Sequence, residues 1–199
     1  MSRTAISASI LMATILVRGL FAADPVTRVD ASRFQAKMAL IAQNEANSGK
    51  AAARTEITET ELNAYLQYEA GDRIPAGVKE PRVSLRDRGG LAGTATVDLA
   101  VVGKGRKSGG MLDPFSYLSG VLPVAMNGVL STKSGIATFT LESASVSGVP
   151  MPAWMLQEIV SYYTKSDAAP NGVEIDKPFA LPSGIREIQL VRGQAIVVQ

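Results

Sequence analysis

Between Val121 and Val146 the chain carries two strand-length runs around one turn, and this hairpin limits the fold more than any other feature. The runs Val121 to Ser131 and Ile136 to Val146 are apolar and β-branched, and Thr132-Lys133-Ser134-Gly135 between them has turn composition. Met126, Leu130, Phe139 and Leu141 are the large side chains expected in a core. The hairpin leads through Ser147-Gly148-Val149-Pro150-Met151-Pro152 into a helix, with Pro152 suited to the first helical position because its missing N–H costs nothing there. Leu156, Ile159, Val160 and Tyr163 keep helical spacing on one face, while Trp154, Met155 and Tyr162 widen the apolar arc. Such a helix lies between two protein layers or lends part of its surface to something apolar that is not protein.

The chemistry open to this chain is narrow. Among 199 residues there is no cysteine and no histidine, so disulfides, thiolate chemistry and the commonest general base are absent. An enzyme would need a Ser-Lys, Tyr-Lys or carboxylate pair, and no such constellation stands at diagnostic spacing. The expectation is a protein that is not an enzyme, with no metal and no cofactor.

Residues 1–23 read as a secretory leader. Arg3 supplies the positive end, Ala5 to Val17 the apolar run, and Leu20-Phe21-Ala22-Ala23 a small-residue cleavage region. The other reading is an uncleaved membrane anchor, since Arg18 can snorkel and Leu20-Phe21 extends the run. Without the leader's two arginines the chain has 18 basic and 18 acidic residues. That balance offers no footprint for nucleic acid. A periplasmic or secreted location in the cell envelope follows from the leader, and a membrane-anchored one from its retention.

Residues 24–56 are expected to form an N-terminal helix and connection, and residues 57–199 a single domain. The helix is placed from Val29 to Ser48, with Phe34, Met38 and Ile41 on one face and Asp30 or Ser32 as cap. Thr58-Glu59-Thr60-Glu61 reads as a capping box, with Ile57 and Leu62 in staple positions. The helix it starts presents Leu62, Tyr65 and Leu66 and stops near Gly71. Its paired acids complement the helix dipole rather than hold a metal.

From Pro81 onward the texture is short strands. Arg82 to Arg86, the turn Asp87-Arg88-Gly89-Gly90 and Leu91 to Val102 read as an antiparallel hairpin. Gly103 to Gly110 fails as a phosphate cradle, because Arg106 stands where a P-loop needs glycine before Lys107-Ser108. Its cations Lys104, Arg106 and Lys107 are candidates for contact with anionic lipid headgroups. Met111 to Leu118 reads as a short amphipathic turn or helix, with Asp113 as cap and Pro114 at the first position. Gly172 to Ile175 reads as a short strand, Pro178 and Pro182 bracket an extended connection, and Ile185 to Val191 pairs with Ala195 to Gln199 as a last hairpin.

The order of elements is an α+β plan, a curved antiparallel sheet of hairpins packed against helices. Three stretches, Ile57 to Leu66, Gly148 to Pro152 and Leu181 to Ile185, resemble small bacterial envelope proteins of the tubular lipid-binding (TULIP-like) kind. The resemblance covers about Ile57 to Gln199. It implies a half-barrel sheet wrapped on a long helix, with an apolar groove for acyl chains and no catalytic residues. The residues expected to line that groove are Leu62, Tyr65 and Leu66 from the capped helix and Met126, Phe139 and Leu141 from the hairpin. Trp154, Met155, Ile159 and Tyr162 from the apolar helix complete them. The expected partner is a lipid or other apolar small molecule, with contact to a membrane surface. The alternative is an envelope scaffold with a filled core that acts through protein contacts.

Overall fold

In a computed structural model of the chain, residues 25–45, 53–98, 101, 120–154, 156–157, 161 and 174–199 are described. The leader, the Gly103 to Gly110 loop and the Met111 to Leu118 segment lie outside these residues.

Helix α1 runs Arg28–Glu45. Thr27, rather than Asp30 or Ser32, is its cap. The Thr27 hydroxyl accepts from the Asp30 N–H at 3.3 Å, and the Asp30 carboxylate accepts from the Thr27 N–H at 3.1 Å and its hydroxyl at 2.6 Å. This is a capping box with Asp at the third position. The Thr27 hydroxyl bond is the main cause that holds the Asp30 carboxyl below its ordinary range.

Strand β1, Arg54–Thr58, precedes α2, Glu59–Tyr68. From sequence only a connection is expected before Thr58, and the structure pairs this segment with β9 instead. The capping box forms as expected: Glu61 N–H donates to the Thr58 hydroxyl at 3.1 Å, and Thr58 N–H to the Glu61 carboxylate at 2.9 Å. Thr58→Ala is therefore expected to lower stability by about 1 kcal/mol, read as an earlier denaturation midpoint at unchanged slope.

The remaining strands are β2, Val78–Leu85; β3, Gly90–Asp98; β4, Val121–Lys133; β5, Ile136–Val146; β6, Val149–Pro150; β7, Phe179–Ala180; β8, Glu187–Val191; and β9, Gln194–Val198. They form two sheets. One has three strands in the order β1-β9-β8, and the other runs β2-β3-β4-β5-β6 with β7 also on β5. Every pairing is antiparallel, and neither sheet closes into a barrel. The fold class is α+β. Two expectations shift: Ile175 lies in a turn, and the strand falls instead at Phe179 within the connection between the two prolines.

The main core sits between the helices and the smaller sheet. Phe34 and Ile41 of α1 meet Ile57, Ile185 and Val197, with Leu62, Tyr65, Leu181 and Ile188 packed around them. Met38, expected on this face, is exposed instead. The neighbouring Lys37 reaches α2, where its ammonium meets both oxygens of Glu61 at 2.7 Å. Phe34 stacks on Tyr65 at 4.6 Å between ring centres. The contacts Arg28–Tyr68, Phe34–Tyr65 and Lys37–Glu61 run in opposite order along the two helices, so α1 and α2 lie antiparallel.

Helix α2 also closes one edge of the larger sheet. The Asn63 amide donates to the Val83 carbonyl and accepts from its N–H, both at 2.8 Å, and Glu59 accepts from the Leu85 N–H at 2.7 Å. An edge strand with free backbone groups invites pairing with another chain, and these side chains occupy them. The two sheets meet at the same end, where Gly193 N–H donates to the Leu85 carbonyl and the Thr132 hydroxyl bridges the N–H and C=O of Ile188.

Candidate functional site

Strand register divides the larger sheet into two chemically different faces, because side chains along a strand alternate between them. On one face the paired rows are Val78–Val97–Leu122, then Ala95–Val124–Val146, then Val83–Gly93–Met126–Ala144. Leu85–Leu91–Gly128–Leu141 and Leu130–Phe139 continue them toward the smaller sheet. Every member is apolar. The intervening rows form the other face, among them Lys79–Thr96–Pro123, Arg82–Thr94–Ala125–Ser145 and Ser84–Ala92–Asn127–Ser143.

None of the apolar rows belongs to the main core cluster. Leu85, Ala144 and Val146 are buried, but Met126, Leu130, Phe139 and Leu141, expected as core, are only half-buried. Two glycines flatten this face. A Cβ on Gly93 would meet Met126 Cγ at 3.2 Å, and one on Gly128 would meet Phe139 Cζ at 2.5 Å, so both long side chains lie across a glycine.

A second feature interrupts β2. Its register against β3 shifts between Lys79 and Arg82, which leaves Glu80 and Pro81 as a bulge. Proline belongs at such a place, since an edge-strand bulge asks for no ladder N–H. Between the bulge and α2 is a cleft of about 450 Å³, walled by Leu66, Ile74, Val78 and Pro81 with Asn63, Gln67, Glu80 and Arg82. On the polar face a shallower hollow of about 380 Å³ includes Glu80, Arg82, Thr94, Thr96 and Ser145.

The residues expected to line one groove are thus distributed over three places. Leu62 and Tyr65 pack against the main core, Leu66 walls the cleft beside β2, and Met126, Phe139 and Leu141 share the apolar sheet face. Helical geometry begins at Ala153, and the Pro152 carbonyl accepts from Leu156 N–H at 3.4 Å, so Pro152 stands one position earlier than expected. Leu156 is buried while Trp154, two residues away on the opposite side, is 54% exposed. Met155, Ile159 and Tyr162 lie outside the described residues, as do Lys104, Arg106 and Lys107.

Glu80 and Arg82 were not among the expected site residues. The signal that points to them is Pro81, a proline inside a strand pattern. Among the described residues no group of His, Cys, Asp or Glu is arranged to hold a metal ion, and no helix is long and apolar enough to cross a membrane. No protein-family model matches the chain, and no curated protein matches it.

Proposed function

We propose that this protein binds a lipid, or another elongated apolar molecule, along the apolar face of its larger sheet, as a carrier exported to the cell envelope. The observation that carries this reading is the unbroken set of apolar rows outside the main core. Half-buried leucines, valines and a phenylalanine in contiguous rows make a surface suited to an apolar occupant. The nine residues of β3, at about 3.4 Å each, give the face a length near 30 Å, enough for a long acyl chain. In the TULIP-like plan an apolar sheet face of this kind is the lipid groove, although here the long α1 packs on the smaller sheet instead.

The scaffold reading has its own supporting observation. Met126 and Phe139 lie over Gly93 and Gly128 and make part of the face flush, which suits a protein partner as well as a chain of methylenes.

Native mass spectrometry of protein purified without delipidation separates the two. Bound lipid is expected on the wild type. Val97→Phe, which enlarges the outer row without adding a polar group, is expected to lose that lipid while the unfolding midpoint stays near the wild-type value. Protein that carries no lipid and displaces no fluorescent fatty-acid probe would overturn the carrier reading and leave the scaffold.

A further inference from the structure

The two hollows beside β2 are both lined by Glu80 and Arg82, which flank Pro81 at the bulge. Glu80 has φ 49. A non-glycine residue in the left-handed region costs on the order of 1 kcal/mol and the following proline restricts it further, so the surrounding bulge must hold this backbone in place. Among the described residues neither the Glu80 carboxylate nor the Arg82 guanidinium makes a hydrogen bond or an ion pair. An acid and a base on either side of Pro81, each without a partner among the described residues, line the same two hollows.

The surroundings join two environments at this point. Val78 walls the cleft and also opens the apolar row Val78–Val97–Leu122. Arg82 belongs to the row Arg82–Thr94–Ala125–Ser145 on the polar face, where hydroxyls of Thr94, Thr96 and Ser145 line the shallower hollow. A molecule lying on the apolar face can therefore turn round the sheet edge at the bulge and end among charged and hydroxyl groups.

Resting on the lipid reading above, we infer that the ligand is an amphiphile with a zwitterionic head of the phosphoethanolamine type. Its phosphate meets the Arg82 guanidinium and the threonine hydroxyls, and its ammonium meets the Glu80 carboxylate. A guanidinium suits phosphate because its paired N–H donors reach two of the phosphate oxygens at once. A purely anionic head would place its charge beside Glu80, and a purely cationic head beside Arg82; only a head with both charges satisfies both side chains.

Titration calorimetry with dihexanoyl lipids of identical tails, one with a phosphoethanolamine and one with a phosphoglycerol head, tests this. Water-soluble glycerophosphoethanolamine serves as the head alone. The wild type is expected to prefer the phosphoethanolamine lipid. Glu80→Gln should weaken that lipid about tenfold and leave the phosphoglycerol lipid unchanged or tighter, whereas Arg82→Gln should weaken both about tenfold. Arg82→Lys should recover part of the loss. Both residues are exposed, and unchanged melting of each variant confirms that folding is intact.

Equal affinity for both heads, indifferent to the variants, would overturn the head site while the tail reading stands. Absence of binding to either lipid would overturn the reading on which it rests. Glycerophosphoethanolamine bound as tightly as the lipid would support the head site and assign it to a soluble phosphoester.

Discussion

Replacing Glu61 by alanine is expected to lower stability by about 3 kcal/mol, as the loss of one carboxylate removes three bonds at once. Its oxygens meet Lys37 at 2.7 Å and accept from the Thr58 N–H at 2.9 Å, and the residue is only 6% exposed. Lys37 keeps 31% of its side chain in contact with solvent, so after the substitution its ammonium can recover water, which holds the loss below that of a fully buried pair. The Thr58 N–H has no such remedy in a half-buried position. Glu61→Gln should cost less, since its carbonyl can still receive that N–H. Chemical denaturation of both variants with Lys37→Met, combined as a double-mutant cycle, isolates the ion pair. A coupling energy near zero would show that Glu61 acts through the cap alone.

Gly128→Ala is expected to cost about 3 kcal/mol, although alanine is the smallest change available. The added Cβ would stand 2.5 Å from the Thr140 carbonyl oxygen and 2.5 Å from Phe139 Cζ. The ring can swing aside. The carbonyl cannot, because β4 and β5 are paired on both sides of it, Gly128 with Leu141 and Val129 with Thr140. The strands must then separate locally at the register shift already present between Asn127 and Gly128. Adding Phe139→Leu to Gly128→Ala is expected to restore little of the lost stability. Full recovery in that double variant would assign the clash to the ring rather than the backbone.

Both expectations draw on contacts that no local pattern announces. The Thr58 to Glu61 box was legible because its bonds close within four residues. Lys37, by contrast, is 24 positions from Glu61 and looks like an ordinary polar residue on a helix. Strand β1 was missed for a related reason. Arg54 to Thr58 contains one large apolar residue, and Ile57, read as a helix staple, is also a core residue opposite Ala195 of β9. That pairing spans most of the chain, and its stability comes from a partner that the segment does not specify by itself.

The candidate site divides in the same way. Met126, Phe139 and Leu141 were legible as large apolar residues in strands, but period-two alternation alone does not say whether the face they share lies inside the core or beside it. Register and the position of the smaller sheet decided that. The bulge at Glu80 and Pro81 had its signal in the proline, yet the cleft between it and α2 exists only because α2 returns to the β2 edge through Asn63 and Glu59.

What the sequence by itself determined is local: the β4–β5 hairpin, the Thr58 to Glu61 cap, the closing hairpin, and the lack of histidine and cysteine. These depend on backbone preferences and side-chain periods that act over a few residues. The tertiary structure alone decided that the core lies between α1, α2 and the three-stranded sheet, and that the apolar face of the larger sheet stands outside it. That choice depends on which apolar surfaces meet across long separations, where the free energy resides in the contact between two segments and in neither one alone.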